Sequence, residues 1–323
     1  MLELINNIRY IWMFADISPF ALELSANIFQ KGGSNMNIAK ILVWVLIAWT
    51  AVFGFYFVAD VLKHKEDFKS VKYVPVTIIG LLANFFDTLG IGSYATSTTA
   101  FKFTKTCPDD LIPGTLNVAY AIPVVVEAVV FIQKVTVDPL TLVLMIGAAI
   151  LGAVVGASIV SKWDLKKVRI ALGCAMIALA IVMVCKLLGV GPFGIVGTAT
   201  GLTGIKLIIG VVANFVLGAL MIVGLGLYAP CMALVLLLGM STDVAFPIMM
   251  GSCAFLMPSA GIKFVKEGKY NRATSLVLTI SGIVGVLVAC FIITSLPLKT
   301  LTWIVTAVMI ICALIFFKDA KKA

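Results

Sequence analysis

From residue 207 to residue 242 the chain runs for 36 residues without an Asp, Glu, Lys or Arg. As one α-helix at about 1.5 Å per residue this stretch would reach about 54 Å, far beyond a hydrocarbon core of about 30 Å. As two complete spans and a turn it is slightly too short. A pair of half-helices meeting at a break inside the membrane satisfies both limits. The composition requires a membrane: 62% of residues are apolar and 12% are charged, about half the charge of a soluble protein. A soluble globular domain, a disordered chain and a coiled coil are excluded. The expectation is an all-α polytopic protein of the cell membrane, multi-pass and embedded in the lipid bilayer.

Full spans are expected at about 38–62, 112–133, 139–161, 167–188, 246–265, 273–296 and 300–317, each close to membrane length. Residues 1–37 carry Arg9, Asp16, Glu23 and Lys31 and read as an interfacial amphipathic segment. With Glu3 early and no basic stretch, this start is not expected to be a cleavable signal. A second segment escapes the ruler. Residues 73–101 number 29, with Asp87 and a Gly/Ser/Thr-rich middle.

The two odd segments resemble each other. Gly80-Leu-Leu-Ala-Asn84-Phe85 matches Gly210-Val-Val-Ala-Asn214-Phe215 at four of six positions. Gly90-Ile-Gly92-Ser-Tyr94-Ala95 matches Gly224-Leu-Gly226-Leu-Tyr228-Ala229 at an offset of 134, where Asp109 and Pro113 also meet Asp243 and Pro247. The pattern predicts two homologous repeats, 73–190 and 207–318, preceded by the extra helix 38–62. Each repeat is a broken or re-entrant helix followed by three spans.

Positive charge orients the chain. Four basic clusters lie at 63–72, 162–169, 263–272 and 318–322. If both odd segments are re-entrant, 17 of the 24 cations face the cytoplasm and seven face outside; if both cross once, the division is 14 and ten. The re-entrant reading is preferred. Three crossings per repeat then invert the second repeat, an architecture of many secondary transporters. The net charge of +9 belongs to this loop pattern and calls for no nucleic acid.

The run from Gly90 to Thr99 holds the chemistry. Gly90 and Gly92 disfavour continuous helix. A half-helix restarting near Ser93 has unpaired amides and a positive dipole end, an anion-binding arrangement. Gly224 and Gly226 repeat the break, and Pro230 suits the first turn of a restarting helix. Asn84, Gly90, Gly92, Ser93, Tyr94, Thr96, Ser97, Asn214, Gly224, Gly226, Tyr228 and Pro230 are the candidate substrate site, with the Asn amides facing a cavity. Asp87 and Glu127 are buried carboxyls within membrane segments, which are costly and usually functional. Either can couple transport to a proton or sodium ion, or instead be a protonated structural carboxyl or a partner for a cation such as Lys206. Asp109 and Asp243 read as helix caps.

Other chemistries find little support. The single histidine, His64, and scattered cysteines without a CxxC argue against a metal or haem site and against a Ser-His-Asp triad. Gly189-Val-Gly191-Pro-Phe-Gly194 spells GxGxxG, but it follows a membrane helix and reads as a linker. No P-loop occurs. The expectation is no cofactor, no metal and no enzymatic activity.

The duplicated unit, Ala83-Asn84-Phe85 with Gly90-Ile-Gly92 and Ala213-Asn214-Phe215 with Gly224-Leu-Gly226 and Pro230, resembles the sulfite exporter TauE/SafE family of permeases over about residues 73–318. The resemblance implies a carrier of sulfur-containing anions such as sulfite and sulfonates in the cytoplasmic (inner) membrane. The family's break is richer, a GxGGG run followed by proline. Here Ser93 and Leu227 replace glycines, and Thr96 stands in place of the first proline. The expected function is an anion permease working by alternating access, driven by protons or sodium. Its alternative is a passive channel for small solutes. Association with copies of itself is left open.

Overall fold

The computed structural model describes residues 38–153, 163–189, 197–222 and 227–322. Eleven α-helices occur among them: α1 Ile38–Lys63, α2 Tyr73–Thr88, α3 Ser93–Thr104, α4 Ile112–Lys134, α5 Pro139–Leu151, α6 Leu165–Leu188, α7 Gly204–Ile222, α8 Tyr228–Leu237, α9 Ala245–Glu267, α10 Arg272–Ser295 and α11 Leu298–Lys322. Among the described residues there is no strand, only an isolated bridge between Ala199 and Met240. The fold is all-α. Seven helices (α1, α4, α6, α7, α9, α10 and α11) are long and apolar enough to cross a membrane. The N-terminal segment 1–37, the GxGxxG-like stretch after Gly189 and residues 154–162 of the expected span 139–161 lie outside the described residues.

Both odd segments are broken where their glycines stand or align. α2 stops at Thr88 because Gly90 takes φ 94°, a region costly for any residue with a Cβ. Its end is closed by Gly90 N–H to Asp87 C=O at 2.7 Å and Ile91 N–H to Phe86 C=O at 3.2 Å, the paired bonds of a Schellman cap. Gly92, φ 91°, then precedes α3. In the second segment α7 and α8 are separate helices on either side of residues 223–227. Gly224 and Gly226 lie outside the described residues, and Pro230 is in the first turn of α8. One expectation needs correcting. With 19 residues, or about 28 Å, α7 is an arm of nearly full span length rather than a half-helix; only α8, with 10 residues, is short. The absence of charge between Lys206 and Asp243 hides this asymmetry.

Each broken segment folds back on itself. Lys72, just before α2, donates from Nζ to the Thr104 carbonyl at the end of α3, 3.3 Å away. Lys206, at the start of α7, donates to the Leu238 carbonyl just past α8, 3.2 Å away. The donors and the acceptors are separated by the same 134 positions that align Gly90 with Gly224 and Tyr94 with Tyr228. Each ammonium meets the carbonyl end of a helix, where the macrodipole favours a cation.

Around these hairpins α2 packs along α10 and α7 along α5. α4 lies against α9 and α10, α9 against α5, and α11 along α6. Exchanging α2–α6 with α7–α11 carries every one of these pairs onto another or onto itself. The α2/α10 and α5/α7 contacts are very close: a Cβ at Gly285 would collide with the Leu81 carbonyl, and one at Gly152 with the Phe215 carbonyl. Such contact between small residues is a common way for membrane helices to pack. Phe131 of α4 and Phe246 of α9 stack at 4.9 Å.

The capping expectation for Asp109 and Asp243 fails. α4 is preceded by Leu111 and α9 by Val244, neither helix receives a side-chain cap, and Asp243 instead accepts the Ser241 hydroxyl. Tight turns precede or open both helices, Leu111 N–H to Pro108 C=O before α4 and Ala245 and Phe246 N–H to Thr242 and Asp243 C=O at the start of α9, and Pro113 has no amide to cap. The aspartates that do cap are Asp138, before α5, and Asp164, before α6.

Candidate functional site

Glu127 is the centre of the site. It lies in the interior of α4, four residues after Pro123, and is fully buried. Proline at 123 leaves the Ala119 carbonyl without its helical donor, and the Thr279 hydroxyl of α10 supplies one at 2.8 Å. The helix therefore continues through the proline with its backbone satisfied. The Glu127 carboxyl accepts the Thr88 hydroxyl at 2.7 Å and the Tyr228 hydroxyl at 3.3 Å. Thr88 is the last residue of α2 and Tyr228 the first of α8. One carboxyl thus joins the edges of both helix breaks.

Asp87 is adjacent in sequence and 4% exposed. Its Oδ1 accepts the Ser93 N–H at 2.7 Å. Ser93 opens α3, so a carboxylate from the preceding helix occupies the amide end of the restarting one. This is the polarity that a helix N-terminus favours, with the anion supplied by the chain itself. Neither Asp87 nor Glu127 forms an ion pair among the described residues. Lys206, a possible partner by sequence, is committed to the mouth of the second hairpin.

The remaining predicted residues divide into two groups. Ser97 is buried and shares a 2.5 Å hydrogen bond with Tyr120 of α4. Tyr94 lies edge-on to Tyr120 with centroids 6.3 Å apart and is 39% exposed. Thr96 turns back to its own helix, donating to Ser93 C=O at 2.8 Å. Ser93, Ser97, Tyr228, Asp87 and Glu127 are therefore brought together around α4. Asn84 and Asn214 are not part of an open cavity. Both are fully buried between helices. Asn84 donates to Gly80 C=O at 2.8 Å, and Asn214 donates to Met145 C=O at 2.7 Å and to Ser252 at 3.3 Å. In both, Oδ1 has no hydrogen-bond partner.

Three further residues belong to the site: Thr88, Tyr120 and Asn117. Tyr120 and Glu127 are seven apart and Asn117 and Tyr120 three apart, so all lie on one face of α4. That spacing was available once Glu127 had been singled out. Asn117 Oδ1 is buried without a partner. The described residues contain no cluster of three His, Cys, Asp or Glu side chains able to hold a metal ion.

Compared with family models, with characterised proteins and with solved structures, the chain matches none. The fold and its seven span-length apolar helices define a multi-pass membrane protein, and they fit a transporter or channel in general.

Proposed function

We propose that the protein is a secondary transporter of small anions, of the sulfur oxyanion or organosulfonate class, working by alternating access in the cytoplasmic membrane. The observation that carries this reading is the Asp87 carboxylate on the Ser93 amide at the start of α3. The position accommodates an oxyanion, and an internal one occupies it. A substrate anion takes the same amide only when Asp87 gives up its charge to a proton or shares it with a sodium ion. The cation and the anion then bind together, which couples their movement. Glu127, tied to both breaks through Thr88 and Tyr228, transmits the change from one broken helix to the other. The lysine closures at 72 and 206 support two re-entrant hairpins, and their common offset supports a duplication; with three crossings per repeat the second copy is inverted.

The test uses purified protein in liposomes, supplied with sulfite, thiosulfate or sulfoacetate under an imposed proton or sodium gradient. Wild-type protein is expected to accumulate at least one of these anions. Asp87→Asn is expected to permit downhill flux without gradient-driven accumulation, and Glu127→Gln to slow flux at least about tenfold, the loss of one charge-assisted hydrogen bond worth about 1.5–3 kcal/mol. Wild type moving none of the anions overturns the anion reading. Flux indifferent to both substitutions identifies a passive channel instead.

A further inference from the structure

The extra helix α1 is tied to the bundle mainly through its C-terminal half. Near its C-terminus, Phe53 and Phe57 are buried, and the Phe53 ring fits so closely against Gly261 of α9 that an added Cβ there would lie 2.6 Å from it. Asp60 accepts from Tyr270 at 2.6 Å and from Arg272 at 2.7 Å. Towards the other end Val43 and Leu46 are buried, and Trp49 donates to Ser259 at 3.2 Å. Between these elements is an apolar cleft of about 500 Å³, lined by Val45, Ala48, Trp49 and Val52 of α1, Ile150 of α5, and Phe255 and Ser259 of α9.

The stripe of α9 that borders the cleft continues from Ser259 to Lys263 and Lys266, at helical spacings of four and three. Lys266 Nζ lies over the Tyr56 ring at 4.9 Å. Lys269 meets Glu267 and Arg272 meets Asp60 and Asp67, but neither Lys263 nor Lys266 forms an ion pair among the described residues. The crevice is thus apolar within the bilayer and cationic where it nears the basic loop 263–272. A second copy of this face would set lysines against lysines. A zwitterionic lipid would fill the cleft without neutralising them.

We infer that this crevice binds an anionic phospholipid of the cytoplasmic leaflet, with an acyl chain in the cleft beside Ala48 and Trp49 and the phosphate against Lys263 and Lys266. Cytoplasmic leaflets carry such lipids, and each nearby lysine adds about fivefold to their attraction. The tail gives the complex its depth and the lysines its headgroup selectivity.

Native mass spectrometry of the full-length protein in detergent, with equal phosphatidylglycerol and phosphatidylcholine, tests the inference. Phosphatidylglycerol is expected to be retained roughly 25-fold over phosphatidylcholine, about fivefold for each lysine. Lys263→Ala with Lys266→Ala is expected to bring the ratio to about one while phosphatidylcholine retention stays the same. Ala48→Phe, at an exposed position on α1, fills the cleft and is expected to lower retention of both. Equal retention by wild type, a ratio unchanged by the lysine substitutions, or retention unchanged by Ala48→Phe overturns it. So does a dimer of the chain that Ala48→Phe dissociates.

Discussion

At the residue scale, the break before α3 depends on two glycines for different reasons. Gly92 has open space where a Cβ would go, but its φ is 91°. Gly90 has φ 94° and would also bring a Cβ within 2.6 Å of Met232 Cε. Gly92→Ala therefore tests backbone strain alone, and a cost of about 1–3 kcal/mol is expected in thermal unfolding. Gly90→Ala carries the same strain, and Met232, a flexible side chain, absorbs most of the added contact. The two losses should be similar. A near-zero loss for Gly92→Ala would show that the break tolerates any residue. Cys107 makes a different point. It is 6% exposed, with Sγ against the Thr115 hydroxyl. Burial holds its thiol above the ordinary range, so the reactive thiolate is scarce near neutral pH. Slow labelling of Cys107 is expected whichever side of the membrane it faces.

At the element scale, helix starts are set by local capping where it exists. Asp138 accepts both the amide and the hydroxyl of Thr141 at 2.8 Å, and its own N–H is held by the Thr200 carbonyl. Asp138→Ala is expected to destabilise α5 by about 1 kcal/mol, with Asn restoring most of it, as followed by thermal unfolding in detergent. Equal losses for Ala and Asn would assign the effect to something other than the cap. Asp164 caps α6 through the amides of Lys166 and Lys167. The Lys167 amide bond is the largest influence holding its carboxyl below the usual range. A depressed value contributes stability above the unfolded value, and that contribution is lost as pH falls through the folded one. The contribution of Asp164 should therefore disappear under acid conditions, seen as convergence of the wild-type and Asp164→Ala melting curves.

For the whole molecule, the hairpin ends decide topology. Lys72 and Thr104 are bonded, as are Lys206 and Leu238, so the two ends of each broken segment lie side by side. In the proposed inverted arrangement the two closures lie on opposite faces of the membrane. In a chain with its native cysteines replaced, Lys105→Cys is expected to be protected from an impermeant thiol reagent in intact cells, and Lys206→Cys is expected to react. Both positions belong to exposed residues. Labelling of the two from the same side would require parallel repeats.

The sequence by itself determined that the chain is helical and membrane-embedded, because hydrocarbon demands long apolar segments with internally satisfied backbones. It also located two paired interruptions and the carboxyls Asp87 and Glu127, since glycine pairs and buried charge stand out against an apolar background. Length alone could not show that α7 is a nearly full span and α8 a short arm, because no charge marks the division. Only the tertiary structure decided what the polar groups do. Hydrogen bonds join Thr88 to Glu127 across 39 residues and Tyr228 to Glu127 across 101, and no local pattern encodes such distant partners. The same holds for Asn84 and Asn214, expected in a cavity but packed between helices. A membrane segment presents its polar residues to whichever neighbour the helix packing brings, and that choice is made by the shape of the whole bundle.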